Sequence, residues 1–130
     1  MKKFIFLMLF PIIASAHNIT GGISFYGDEE HGKLTARGDI YNQWALTAAH
    51  KTLPFGTILE VTNLANGKSV TVKITDRGPY VKGRVLDLST AAFLKIASRK
   101  QGVINANKVS IRIIKMGAGK TCHHGKGKCE

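Results

Sequence analysis

The chain has 130 residues, with 19 Lys or Arg against 8 Asp or Glu, a formal net charge of +11. That length suits one domain around one modest core. A surface so basic attracts polyanions, and nucleic acid would be the usual partner of an intracellular chain; the N-terminus argues against that setting.

Met1-Lys2-Lys3, the apolar run Phe4 to Ile13 and Ala14-Ser15-Ala16 form a basic start, a short apolar stretch and a small-x-small site. This is the pattern of a secretory signal peptide over residues 1–16. The run falls short of the roughly 20 apolar residues that a membrane span needs. No cysteine lies beside the cleavage site to carry a lipid. The expected product begins at His17 and is exported, to periplasm or medium, without a membrane anchor. Export turns the expected polyanion from nucleic acid to envelope polymers, although the excess charge, much of it in the last third, could serve solubility alone.

Gly22 to Gly27 reads as a short strand, and the polar segment Asp28 to Asp39 as a loop. Thr57 to Thr62 and Val70 to Thr75 are β-branched runs flanking Asn66-Gly67, a strong hairpin signal because both turn residues tolerate positive φ. Ser89 to Ala97 predicts a short helix, with Ser89 as N-cap and Ala91, Ala92, Phe93, Leu94 and Ile96 as its buried face. Val109 to Ile114 alternates and predicts a last strand. Short strands plus one helix suggest a small β-barrel over residues 17–116. The Gly/Lys-rich tail, residues 117–130, is expected to be mobile.

Gly117-Ala118-Gly119-Lys120-Thr121 is not a phosphate loop. That motif needs a glycine where Ile114 stands, and a helix afterwards. Cys122 and Cys129 predict a disulfide, the usual fate of two cysteines in an exported chain. With His123 and His124 they could instead hold Zn²⁺ or copper, although the spacing matches no standard zinc site. No cofactor is expected.

His50 and Asp76 sit beside turn-forming Gly and Pro residues, where titratable side chains are often aimed at a ligand. His50 could equally be a packed, backbone-bonded histidine. Asp76 could be a turn carboxylate paired with Arg77 or Arg84. Asp87, at the predicted helix start, reads as a capping or ion-pair residue. Trp44, Tyr26, Tyr41, Phe55 and Tyr80 could stack on sugars, although for Phe55 and Trp44 core burial is the better reading.

Gly22-Ile23-Ser24-Phe25-Tyr26-Gly27, Thr35-Ala36-x-Gly38, Leu46 to His50, Leu53 to Thr57, Asp76 to Tyr80 and Gly83 to Ser89 together resemble the rare lipoprotein A (RlpA-like) family. The resemblance implies an all-β fold, a six-stranded double-psi β-barrel of RlpA-like or barwin-like type with one short helix. It also implies a lytic transglycosylase of bacterial peptidoglycan, which cuts after N-acetylmuramic acid and leaves a 1,6-anhydro product. Its catalytic set falls on Asp39, His50 and Asp76. Asp39 stands where the family usually has glutamate, one methylene longer. The family's lipid-attachment cysteine and C-terminal peptidoglycan-binding domain have no counterpart here.

From these readings the expected substrate contacts are Tyr80, Arg77, Arg84 and Tyr41, and the expected partner is a peptidoglycan glycan strand bound by a monomer. In the expected chemistry Asp76 protonates the glycosidic oxygen and then takes the proton of the 6-hydroxyl as it attacks. An inverting hydrolase using Asp39 and Asp76, and a non-catalytic wall-binding module of expansin-like type, are the rival readings.

Overall fold

A computed structural model describes residues 18–122. The expected signal peptide lies outside them. Strand β1 spans Asn18–Ile19, β2 Gly22–Phe25, β3 Thr47–Ala49, β4 Ile58–Asn63, β5 Ser69–Asp76, β6 Arg84–Leu88 and β7 Val109–Lys115. Helix α1 spans Thr90–Ile96, and 3₁₀ turns cover Asp28–Glu30 and Ala106–Lys108.

The seven strands form one sheet in the order β1-β7-β4-β5-β3-β6-β2. The expected six are present, and the two-residue β1, which the sequence does not announce, adds a seventh at one edge. β2 pairs with β6, and β3 with β5, in parallel; the remaining neighbours are antiparallel. The ladder does not close strand to strand. β2 reaches the chain ahead of β7 through a single bridge, Ile23 to Ile104.

Alternation does most of the packing. β4 and β5 bury every second residue, so Leu59, Val61, Val70, Val72 and Ile74 face inward beside Leu86, Leu88 and Ile111. Helix α1 covers this core with Ala92, Phe93 and Ile96, and Phe93 stacks on Phe25 at 4.5 Å between ring centroids. Leu94, expected on the buried face, is exposed. Ser89 does cap the helix: its hydroxyl accepts from the Ala92 amide and donates to the Ala45 carbonyl.

The β4–β5 hairpin forms as expected, but its turn is longer than a two-residue Asn-Gly loop. Only Gly67 takes positive φ (73°). Asn63 Oδ1 accepts from Ala65 N, and Asn66 Oδ1 from Lys68 N. Both amide groups then donate to the Ile96 carbonyl, at 2.7 and 2.9 Å. The turn thus satisfies an orphan carbonyl at the helix end, which local sequence could not disclose.

The start of the expected mobile tail is held against the rest of the fold. Gly117 N donates to Thr57 Oγ1, Gly119 N to Phe55 O and Cys122 N to Arg37 O. Gly38, at φ 104°, leaves no room for a Cβ against the Cys122 carbonyl. Cys122 is not a free thiol; Cys129, His123 and His124 lie outside the described residues.

Candidate functional site

Asp76 ends β5 at a register shift: Ala48 pairs with Ile74, but Ala49 pairs with Asp76. The extra residue re-aims the strand end, as bulges beside active sites do. Asp76 Oδ1 accepts from the main-chain amides of Ala36 and Arg77, each at 2.8 Å. Oδ2 accepts from the Tyr26 hydroxyl at 2.8 Å. Three donors therefore hold the carboxyl group rigidly, two of them backbone. Burial, then the Asp76 carboxylate, push the Tyr26 hydroxyl far above its ordinary pKa, so Tyr26 keeps its proton.

His50 sits on the adjacent chain, its amide donating to the Asp76 carbonyl at 3.2 Å. Its Nδ1 accepts from the amides of Thr52 and Leu53, at 3.1 and 3.0 Å. Nδ1 thus carries no proton, which leaves Nε2–H as the outward donor. Burial, then the charges of Arg77 and Lys51, lower the His50 pKa. His50 is a neutral donor in a fixed orientation.

Asp39 belongs to the loop whose Ala36 amide grips Asp76, yet its own carboxylate is occupied. Arg37 Nη2 bonds Oδ2 at 2.7 Å, and the Thr35 hydroxyl bonds Oδ1. Burial would raise the Asp39 pKa, but the Arg37 and Thr35 hydrogen bonds outweigh it and the net shift is downward. Arg37 is only 6% exposed, and among the described residues its Nε and Nη1 find no acceptor. The three expected catalytic residues are therefore gathered through main-chain bonds. Among the described residues no hydrogen bond joins their side chains directly.

Two of the expected substrate contacts have internal duties. The Arg77 guanidinium donates to the carbonyls of His50 and Leu53 and lies 3.9 Å over the Phe55 ring. It makes no ion pair with Asp76; it shapes the His50 loop. Tyr41 is 5% exposed, accepts from the Thr90 amide and packs against Tyr26 at 4.7 Å between ring centroids. It supports Tyr26 and does not face solvent. Arg84, half-buried, donates to Ser24 Oγ at 3.1 Å. Tyr80 is 79% exposed and stands free to meet a ligand. Phe55 is buried as expected, whereas Trp44, read as core, is 59% exposed.

Sequence reasoning gave Asp87 only a structural part and missed Ser24 and the Tyr26–Asp76 bond. Cross-strand register places Asp76, Ala49, Asp87 and Ser24 in one row over β5, β3, β6 and β2. The Ser24 hydroxyl bonds Asp87 Oδ1. Asp76 and Asp87 flank Ala49, two strand spacings or about 10 Å apart, and Tyr26 feels both charges. Asp87 is thus bonded across the sheet rather than capping the helix. Ala49 between them is itself fully buried.

A cavity of about 350 Å³ lies elsewhere, lined by Phe55, Ile58, Lys73, Lys115, Met116 and Gly117 among others. Asp76 and His50 are not in its wall, and their bonded geometry is the better guide to chemistry. Among the described residues no group of three His, Cys, Asp or Glu could hold a metal, and no helix is long and apolar enough to cross a membrane.

Residues 18–108 match the family model described as lytic transglycolase. The chain is 55% identical over 97 residues to the protein named "Probable endolytic peptidoglycan transglycosylase RlpA" of Synechocystis sp., covering 74% of this chain and 30% of that one. It is 48% identical over 94 residues to the "Endolytic peptidoglycan transglycosylase RlpA" of Vibrio cholerae, covering 72% and 34%. The chain thus spans about a third of the length of these curated relatives. Among solved structures, a Streptomyces papain inhibitor is similar at a TM-score of 0.61 and 26% identity, covering 75% of this chain and 94% of that one. A Clavibacter michiganensis expansin solved with cellohexaose is similar at a TM-score of 0.59 and 20% identity, covering 80% and 54%; this likeness is one of fold.

Proposed function

The chain belongs to the lytic transglycolase family, and from that premise we propose that it cleaves peptidoglycan glycan strands after N-acetylmuramic acid, leaving a 1,6-anhydro end. The observation that carries the reading is the Asp76 carboxyl group. Its Oδ1 is saturated by two backbone amides, and among the described residues its Oδ2 is shared only with the Tyr26 hydroxyl. Oδ2 is therefore the oxygen that exchanges a proton with substrate.

In the forward reaction Asp76 protonates the glycosidic oxygen and the C1–O bond breaks. The same oxygen then takes the 6-hydroxyl proton as O6 closes on C1, so no water is consumed. His50 Nε2–H donates a hydrogen bond to the sugar, with the imidazole neutral. Tyr26 holds Oδ2 between the two transfers. Tyr80 and Arg84 meet the flanking sugars, and the protein acts as an exported monomer.

One feature favours a second reading. Arg37 and Thr35 bind both oxygens of Asp39, withdrawing the residue that matches the family's third catalytic position. A wall-glycan binder that does not cut would tolerate that pairing. A hydrolase built on Asp39 and Asp76 gains nothing from it. Incubation of the purified protein with peptide-free glycan strands, followed by mass analysis, separates the readings. Anhydro ends support the transglycosylase, strands bound but intact support the binder, and hydrated reducing ends support a hydrolase.

A further inference from the structure

We infer that Trp44 is a sugar-stacking residue that carries the glycan groove outward from Asp76, an assignment that rests on the glycan-strand reading above. It is the chain's single tryptophan, and more than half of its surface faces solvent. Leaving an indole in water forgoes one of the largest burial energies any side chain offers. Tryptophan is enriched at interfaces, where it offers a large apolar face and a polar N–H.

The turn that presents it is built, not loose. Asn42 Oδ1 accepts from the Trp44 amide at 3.0 Å, and the Asn42 carbonyl accepts from Ala45 N at 3.1 Å. Gln43 N donates to His31 Nδ1, and the Gln43 carbonyl accepts from Ala91 N in the first turn of α1. The Ser89 hydroxyl then fixes the Ala45 carbonyl at 2.6 Å. Residues on both sides of Trp44 are therefore anchored to the helix and the Asp28–Glu30 turn. The indole is held out with its backbone entropy already spent, the condition under which an aromatic ring binds efficiently.

Its turn is tied to the site. Tyr41, three residues earlier, packs on Tyr26, whose hydroxyl holds Asp76 Oδ2. Leu34 and Ile40, bridged to each other in the segment leading into the turn, are also exposed. A pyranose offers one flat, largely C–H face of a size to lie on an indole, and an N-acetyl methyl group to meet Leu34 or Ile40. A protein partner needs a far broader contact, on the order of 1,200 Å² or more.

The single indole makes the test direct. Asp76→Asn, which leaves strands uncut, is titrated with peptide-free glycan strands while Trp44 emission is followed and bound strand is measured by co-sedimentation. Saturable change in emission is expected, with binding about 3- to 10-fold weaker in Trp44→Ala and closer to normal in Trp44→Phe. Strands that co-sediment equally with Trp44→Ala, with emission flat in the parent, would remove Trp44 from the groove and leave the functional reading intact. Strands that bind neither protein would overturn the functional reading first, and this assignment with it. Self-association that Trp44→Ala abolishes, without any response to glycan, would make the patch a contact between copies and likewise overturn the assignment.

Discussion

The Arg37–Asp39 pair makes an asymmetric prediction about stability. Arg37 is almost wholly buried, yet among the described residues only Nη2 has an acceptor, while Nε and Nη1 are orphaned. Replacing Arg37 by Met removes one charge-assisted hydrogen bond, about 1.5–3 kcal/mol, but also two orphaned donors at about 1–3 kcal/mol each. At the midpoints of these ranges the second effect exceeds the first by about 2 kcal/mol, so Arg37→Met is expected to be neutral to stabilising. Asp39→Asn instead leaves a buried guanidinium without its counter-charge. Breaking a buried pair costs about 3–5 kcal/mol; Asp39 is partly exposed, so solvent screening brings the expectation down to about 2–3 kcal/mol. The pH dependence follows from the lowered Asp39 pKa. The pair's contribution is whole above the ordinary carboxylate pKa, about 3.9, and is lost as pH falls through the lower folded value. Urea titrations of the three proteins followed by circular dichroism, at neutral pH and below about pH 4, measure all of this. Equal destabilisation by the two substitutions at neutral pH would refute the account, as would a difference between wild type and Asp39→Asn that persists unchanged in acid.

Other outcomes follow from the same contacts. Asp76→Asn should lower turnover by at least about 100-fold while the circular dichroism spectrum is unchanged; near-normal cleavage would take Asp76 out of the acid–base role. Because burial and the Arg77 and Lys51 charges lower the folded His50 pKa, the unfolded chain protonates first as pH falls through about 6.5. Stability should therefore drop across that window, and less so in His50→Gln, when melting temperatures are compared at pH 7.5 and about pH 5.5. Asn63, 2% exposed, bonds both Ile96 O and Ala65 N. Asn63→Ala should cost about 2 kcal/mol in urea unfolding, softened because Asn66 still reaches the Ile96 carbonyl. An unchanged midpoint would show that the turn does not anchor the helix.

Features whose energetics are local were legible in the chain. Alternation over Val70 to Thr75 and Val109 to Ile114 marks strands because a pleat sorts neighbours to opposite faces. Ser89 marks a helix start because a hydroxyl satisfies amides only a few residues away. The candidate residues Asp39, His50 and Asp76 were reached through the short motifs that carry the family resemblance.

Tertiary structure decided what those residues can do. β3 (Thr47–Ala49) has no alternation to betray it; it is a strand because β5 and β6 flank it on either side. Trp44 reads as core by composition, yet its turn is tied down by Ala91 and Ser89, nearly 50 residues on, with the indole outside. Tyr26 meets Asp76 across 50 residues, and the buried Arg37 has its carbonyl bonded by the distant Cys122 amide. Local propensity acts within a few residues, whereas burial, protonation and the free edge of a carboxylate depend on which distant segments the folded sheet brings alongside.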